Sequence, residues 1–235
     1  NIAMVVGANF GDKSFNDSAL AGLKLAQQDL GITYNTTECG GTYTKAEPAM
    51  RDYAESKDYD LIISSSTSLR SYCEQSATNY PDQKFMMFDV VPQTESRDNI
   101  YACTYKQNEG SYLAGMIAAK FSQTGVIGCL GGDDIEVIND FFVGYIEGAQ
   151  KMNSQIKIAA SYIGNWTDIA KAKELSLTQI QQKADVIFNV AGSAGEGISQ
   201  AALEKGTWGI GVDSDQYTKY YDKDVKLAER IITSM

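Results

Sequence analysis

Two aspartates directly follow strand-like apolar runs, and their carboxylates are well suited to binding a small polar ligand. Asp89 ends the run Phe85-Met86-Met87-Phe88, and Asp213 follows the run at 209–212. A carboxylate accepts two hydrogen bonds at once, which matches the vicinal diol of a sugar. Aspartates at strand ends are also common turn formers and helix caps, and this alternative applies to either one alone. Two of them, one in each half of the chain, favour ligand binding.

Two aromatic side chains lie in comparable positions. Phe15 comes shortly after the first apolar run, and Trp166 comes after the run at 156–161. Two such rings could cover both faces of a flat base, and stacking on an aromatic ring contributes about 1–3 kcal/mol per base. Each ring could instead fill the core of its own half of the chain. The residues alone leave both alternatives open.

A glycine-rich stretch, Gly-Ser-Ala-Gly-Glu-Gly, begins at Gly192, after a buried-type strand and before a helical pattern. It matches neither the dinucleotide-binding fingerprint nor the phosphate-binding loop, and it is not a nucleophile elbow. One interpretation is a tight strand-to-helix turn. The other is a turn whose N–H groups approach a ligand at the carboxyl end of a strand, where open α/β sheets bind ligands.

The chain has no histidine. Serine–histidine and cysteine–histidine catalysis are therefore excluded, as is the H-E-x-x-H zinc motif. The four cysteines form no C-x-x-C pair. The one adjacent acidic pair after an apolar run, Asp133-Asp134, lacks the carboxylate cluster that a calcium-dependent nucleoside hydrolase needs. We predict a binding protein with no catalytic residue, no metal and no cofactor.

The composition of the chain limits the classes of partner that it can bind. The 235 residues carry a formal net charge of −10, which argues against nucleic acid because phosphate binding needs clustered lysine and arginine. A hydrophobic content of 43% is enough for a sizeable core. No apolar run approaches the roughly 18 residues expected of a membrane-spanning helix.

Short apolar runs alternate with helix-length amphipathic stretches, which predicts βαβ units around parallel sheets. Helical stripes start near Ala19, Tyr112, Phe141 and Ala172. The predicted strands are 2–6, 61–64, 84–88, 100–104, 126–130, 156–161, 186–190 and 209–212, and the last five residues resemble another strand.

The strand–turn–helix pattern at 2–30 recurs at 126–152. We therefore predict an N-terminal α/β lobe at 1–105 and a C-terminal lobe at 106–235, with a return crossing that starts after residue 213. Because the sequence opens on a core strand and stops on a strand, we expect a leader before Asn1. We also expect a segment after Met235 that completes the first lobe.

Five motifs in order resemble the basic membrane protein family, the substrate-binding lipoproteins of bacterial ABC transporters that include a purine nucleoside receptor. They are Gly-Asp-Lys-Ser-Phe-Asn-Asp-Ser (11–18), Phe-Met-Met-Phe-Asp (85–89), Glu-Gly-Ser-Tyr-Leu-Ala-Gly (109–115), Ala-Gly-Ser-Ala-Gly (191–195) and Gly-Val-Asp-Ser-Asp-Gln (211–216). The resemblance covers essentially the whole chain. It implies a type I periplasmic-binding-protein fold, with two Rossmann-like lobes and a nucleoside in the interlobe cleft.

The resemblance also implies roles for individual residues. The aromatic residue of the Ser-Phe-Asn motif, here Phe15, stacks on the base, and Trp166 takes the other face, where family members often carry phenylalanine. Asp12 and Asn16 are implied polar contacts to base or sugar. The two strand-end aspartates are implied acceptors for the ribose hydroxyls, and a lysine is usual on the segment that would follow Met235.

The implied function is capture of a purine nucleoside such as adenosine, guanosine or inosine, and its delivery to an ABC transporter permease. The protein would then be extracytoplasmic, lipid-anchored at the cell membrane (in the periplasm or on the outer face of the cytoplasmic membrane) and monomeric. A second hypothesis is a sensor with the same fold that regulates transcription or signalling. No helix-turn-helix pattern is present in the sequence, and the acidic charge disfavours one.

Overall fold

The computed structural model describes residues 1–93 and 98–235. The chain divides into two compact units, of which the first comprises 1–10 and 16–105 and the second 11–15 and 106–235. Each unit contains a five-stranded sheet whose paired strands are parallel, with helices between the strands. The predicted α/β fold with two parallel-sheet lobes is therefore confirmed.

The first unit alternates strands and helices as the hydrophobic pattern predicts, with a short 3₁₀ turn at Thr67–Leu69 leading into α3. Its elements are β1 (Ile2–Val6), α1 (Phe15–Leu30), β2 (Tyr34–Glu38), α2 (Ala46–Ser56), β3 (Leu61–Ser65), α3 (Arg70–Asn79), β4 (Phe85–Phe88) and β5 (Ile100–Cys103). The first residue of α1 groups with the second unit.

The second unit repeats this arrangement, and a 3₁₀ turn at Gly192–Gly195 again leads into a helix. Its elements are α4 (Gln107–Phe121), β6 (Val126–Gly131), α5 (Glu136–Met152), β7 (Lys157–Tyr162), α6 (Ile169–Gln181), β8 (Val186–Val190), α7 (Glu196–Lys205), β9 (Trp208–Gly211), α8 (Gln216–Tyr221), α9 (Val225–Ala228) and β10 (Ile231–Ser234).

The two sheets have the same strand order. The first runs β2-β1-β3-β4-β5, and the second, read from its other edge, runs β7-β6-β8-β9-β10. In both, the order reverses between the first and third strands. Ligands of open α/β sheets bind outside the carboxyl ends of the strands near such a switch point. The topology therefore directs attention to the loops that follow β1, β3 and β4, and to their counterparts in the second sheet.

The core of the second unit shows why its helical stripes contain glycine. A Cβ atom on Gly148 would lie 1.9 Å from the carbonyl oxygen of Tyr112, and one on Gly115 would lie 2.0 Å from that of Tyr145. Only glycine lets α4 and α5 approach this closely. Beneath them, the fully buried ring of Tyr145 stacks on Phe188 of β8 at 5.1 Å.

One strand, β2, was not among the predicted elements. Its sequence Tyr-Asn-Thr-Thr-Glu is polar because β2 is an edge strand with no fully buried residue. Residues 214–235 form α8, α9 and the paired edge strand β10, all within the second unit. The return crossing after residue 213 and the completion of the first lobe by a later segment therefore remain predictions.

None of the helices formed by the described residues combines the length and the apolar character needed to traverse a lipid bilayer.

Candidate ligand-binding site

The two strand-end aspartates occupy equivalent places in the two sheets. Asp89 follows β4, and Asp213 lies two residues after the end of β9. Both have left-handed backbones, with φ of 61° and 65°. The N–H of Asp89 donates to the carbonyl of Cys103 at 2.8 Å, and that of Asp213 donates to the carbonyl of Met235 at 2.8 Å. In each case this hydrogen bond links the residues that follow the fourth strand to the end of the fifth strand, where the chain leaves the sheet.

The left-handed conformation is informative because it is uncommon outside glycine and most tolerated by asparagine and aspartate. Such residues cluster at binding and active sites, where the surrounding structure holds them. Asp89 is also partly buried, and this burial raises the pKa of its carboxyl to about 6. A carboxylate in this position gains more from a hydrogen-bonding ligand than a solvated one does.

Asn16, the second residue of α1, groups with the first unit and contacts the loop after β1. Its side chain is buried, with 6% exposed, and Nδ2 donates to the carbonyl of Asn9 at 3.3 Å. The N–H of Phe10 in the same loop donates to Glu38 Oε1 at 2.5 Å. Asn16 therefore shapes the loop at the carboxyl end of β1, and its direct contact with a ligand remains a prediction.

Residues 11–15 include two predicted site residues, Asp12 and Phe15, and group with the second unit. Asp12 Oδ1 accepts from the N–H of Ser14 at 3.0 Å. The Ser14 hydroxyl, which is fully buried, donates to Asp213 Oδ2. One oxygen of the predicted ribose acceptor is thus oriented by a residue of the Asp-Lys-Ser-Phe segment, and Phe15 follows directly as the first, half-buried residue of α1.

Trp166 lies between two glycine loops. A Cβ atom on Gly132 would lie 2.3 Å from Cε3 and Cζ3 of the indole, and one on Gly192 would lie 3.7 Å from Cε3. The Trp166 carbonyl accepts from the N–H of Ala194 at 3.0 Å and from the Ser193 hydroxyl at 2.8 Å. Gly192 has φ of 55°, which glycine adopts without cost. Gly192 therefore belongs to the turn that fixes the tryptophan.

Buried polar residues behind this edge were not predicted from the sequence. Asn189 Oδ1 accepts from the N–H of Ala191 at 3.1 Å, and its Nδ2 donates to Gln216 Oε1 at 3.4 Å. Gln216 Nε2 in turn donates to the carbonyl of Val212 at 3.3 Å. An asparagine inside the apolar run Val-Ile-Phe-Asn-Val was the available signal, because a buried amide requires partners.

A tyrosine in the first unit was also missed. Tyr43 follows β2, as Trp166 follows β7, and its backbone is left-handed with φ of 59°. A Cβ atom on Gly7, the residue after β1, would lie 3.1 Å from Tyr43 Cε1. Tyr43 is thus the topological counterpart of Trp166. Because the sequence before Tyr43 is polar, β2 was not predicted as a strand. The equivalence of Tyr43 and Trp166 therefore could not be recognised from the sequence.

The predicted residues therefore divide between the two units. The second contains Asp12, Phe15, Trp166, Gly192 and Asp213, and the first contains Asn16 and Asp89. All seven lie in the loops at the carboxyl ends of strands or at the helix start that follows such a loop. Carboxylates, amides and aromatic rings at these positions suit recognition of a polar, partly flat molecule.

Comparison with known proteins agrees with this picture. Residues 1–234 match the family model of PnrA-like ABC transporter substrate-binding proteins. The ABC transporter nucleoside-binding protein BmpA of Lactococcus lactis is 33% identical over 99% of this chain and 69% of its own length. Basic membrane protein A of Borreliella burgdorferi is 32% identical over 99% of this chain and 71% of its own.

A solved ABC transporter solute-binding protein from Aeropyrum pernix superposes with a TM-score of 0.84 and 25% identity, over 99% of this chain and 73% of that one. The family consists of solute-binding proteins, not enzymes, and such proteins act outside the cytoplasm. The resemblance found in the sequence motifs is thereby confirmed: the chain belongs to the Bmp family of PnrA-like ABC transporter substrate-binding proteins.

Proposed function

We propose that the protein binds a purine nucleoside and delivers it to the permease of an ABC transporter. The observation that carries this proposal is the pair of strand-end aspartates, each held in a left-handed conformation at the carboxyl edge of its sheet. The Lactococcus lactis relative is named a nucleoside-binding protein, which supports the same ligand class.

The ribose is assigned to Asp89 and Asp213. A ribose offers neighbouring hydroxyl donors, and a carboxylate accepts from both. The contact between Ser14 and Asp213 supports this assignment, because it orients the carboxylate before a ligand arrives. Asp12 and Asn16 are assigned to polar groups of the base or sugar.

The base is assigned to Phe15 and Trp166. Stacking accepts any flat base, so it sets affinity more than the choice among purines. The support for Trp166 is its fixed position against Gly132 and the turn at Gly192. A ring that is already immobilised loses little conformational entropy when the ligand binds.

Beyond ligand binding, we propose that the protein acts as a lipid-anchored monomer on the outer side of the cytoplasmic membrane and releases its ligand unchanged to the permease. Incubation with adenosine, guanosine and inosine should leave each nucleoside intact by chromatography. Free base released faster than in buffer would place the protein among the hydrolases and contradict this part of the proposal.

Native mass spectrometry of the purified protein, followed by calorimetry, tests the ligand class. We expect a one-to-one complex with at least one of adenosine, guanosine and inosine, and much weaker binding of D-ribose, which lacks the base. Binding of D-ribose as tight as that of the nucleosides would contradict the purine assignment. Absence of binding to all three nucleosides would overturn the proposed function.

A further inference from the structure

The segment Gly11–Phe15 groups with the second unit although the residues before and after it in the sequence belong to the first. Its backbone is left-handed at two positions, with φ of 86° at Gly11 and 55° at Lys13. Glycine accepts this conformation freely, but a lysine does not. The strained conformation at Lys13 therefore has to be held by contacts elsewhere.

Lys13 makes those contacts with three parts of the second unit. Its Nζ lies 2.5 Å from Oε2 of Glu196, the first residue of α7, and 5.0 Å from the centre of the Tyr220 ring in α8. Its carbonyl accepts from the hydroxyl of Ser214 at 2.8 Å. Both the backbone and the side chain of Lys13 therefore contact the second unit.

The surroundings make these contacts stronger than those of an ordinary surface pair. The side chains of Lys13 and Glu196 are 22% and 30% exposed, so water screens them only partly. Tyr220 is buried, and this burial, followed by the charge of Glu196, raises the pKa of its phenol to about 12. The phenol is neutral at physiological pH, and a cation above a desolvated ring is attracted more than one above an exposed ring.

Lys13 lies between the residues that the proposed function assigns to the ligand. Asp12 precedes it, and Ser14, whose hydroxyl donates to Asp213, and Phe15 follow it. We propose that Lys13, Glu196 and Tyr220 form a positioning triad that fixes Asp12, Ser14 and Phe15 on the second unit and so raises nucleoside affinity without touching the ligand. This inference rests on the proposed function and extends it to residues outside the site.

The main test compares the wild type with Lys13→Met, Glu196→Gln and the double variant, by calorimetry with adenosine, guanosine and inosine. Methionine keeps an unbranched side chain that is one heavy atom shorter than that of lysine, and it removes the charge. We expect each single variant to weaken binding about 10-fold, which is the effect of losing about 1.4 kcal/mol. The double variant should be scarcely weaker than either single one, because the two residues act as a pair.

A matched control is available on the same helix. Lys173 of α6 and Glu204, near the other end of α7, form an ion pair at 2.9 Å, with 35% and 43% of their side chains exposed. Lys173→Met should leave nucleoside affinity within about twofold of the wild type, since surface pairs contribute little. An equal loss in Lys173→Met and Lys13→Met would show a general effect of α7 and overturn the proposal.

Two further measurements separate positioning from simple loss of folding. Amide hydrogen exchange of the ligand-free protein should speed up at residues 11–16 in Lys13→Met while the sheet strands keep their protection. The charge reversal Lys13→Glu with Glu196→Lys should recover part of the affinity that Lys13→Glu alone loses. If the wild type binds a nucleoside and Lys13→Met binds it equally well, the positioning role is wrong. If the wild type binds none, the proposed function itself has failed.

Discussion

The carboxyl edges of the two sheets use the same backbone device with different side-chain environments. Asp89 and Asp213 both have left-handed backbones and both donate an N–H to the end of the fifth strand. Asp213 also accepts from the buried Ser14 hydroxyl, whereas for Asp89 burial raises the carboxyl pKa to about 6. The repeated strand order thus produces the same turn twice. The local sequence decides whether the carboxylate is oriented by a hydrogen bond, as in Asp213, or has its pKa raised by burial, as in Asp89.

The same comparison extends to the aromatic residues. Each first strand is followed at once by a glycine, Gly7 or Gly132, and the ring that follows the second strand packs over that glycine. The ring is Tyr43 in the first unit and Trp166 in the second. The fit is tighter in the second unit, where the added Cβ atom would lie 2.3 Å from the ring instead of 3.1 Å.

The largest effect is expected for Asp213→Asn. Asparagine tolerates the left-handed backbone, so this change tests the charge without adding backbone strain, which alanine would introduce. We expect nucleoside binding to weaken by about 2–5 kcal/mol, as for loss of a buried charged partner. Calorimetry with adenosine and 2′-deoxyadenosine should also show less discrimination between the two than in the wild type.

Asp215→Asn is the matched control for that change. Asp215 lies two residues further on, where it accepts from the N–H of Thr218 and caps α8. Asparagine caps helices about as well as aspartate, so adenosine affinity should stay near that of the wild type. If Asp213→Asn also binds like the wild type, Asp213 is a turn former and the ribose assignment is wrong.

The next largest expected effect is a difference in stability between the alanine variants of the two glycines, Gly132 and Gly7. Gly132→Ala forces the Trp166 ring to move and should lower the free energy of unfolding by about 1–3 kcal/mol. Gly7→Ala requires the Tyr43 ring to move by only a few tenths of an ångström. It should therefore lower the free energy of unfolding by less than about 1 kcal/mol. Urea denaturation measures both.

Fluorescence of Gly132→Ala in a Trp208→Phe background reports on the Trp166 ring directly. We expect a shift in its emission relative to the Trp208→Phe protein, because the ring is displaced from its packing against the glycine. Equal stability losses for the two glycine variants would remove the distinction between the tight and the looser ring contact.

A smaller effect than that of Gly132→Ala is a pH-dependent gain in stability for Asp89→Asn. The folded pKa of about 6 is above the ordinary value of 3.8, so the protonated carboxyl favours the folded state. That contribution is complete below about pH 4 and is lost as the pH rises through about 6. Asparagine cannot ionise, so at pH 7.5 the variant should be more stable than the wild type by about 1–2 kcal/mol.

Urea denaturation at pH 4 and pH 7.5 measures this difference, which should nearly vanish at the lower pH. A stability difference that is the same at both pH values would show that burial of Asp89 does not raise its pKa. In the ligand-bound protein the sign should reverse at pH 7.5, because only the carboxylate accepts from both ribose hydroxyls.

Much of the architecture was predictable because hydrophobic periodicity is a local property. Strand β1 is a continuous apolar run and β8 is apolar except for Asn189, since a central parallel strand is buried on both faces. The polar edge strand β2 has no such requirement, and it was missed for that reason. The strand-end positions of Asp89 and Asp213 likewise followed from where the apolar runs stop.

By itself the sequence determined the alternation of strands and helices, the family, and the exclusion of histidine chemistry. The tertiary structure alone decided which side chains meet. Ser14 and Asp213 are 199 residues apart, yet they share a hydrogen bond, and Lys13 finds Glu196 and Tyr220 over similar separations. No local pattern encodes such pairs, because they form only when folding brings together segments that are far apart in the sequence.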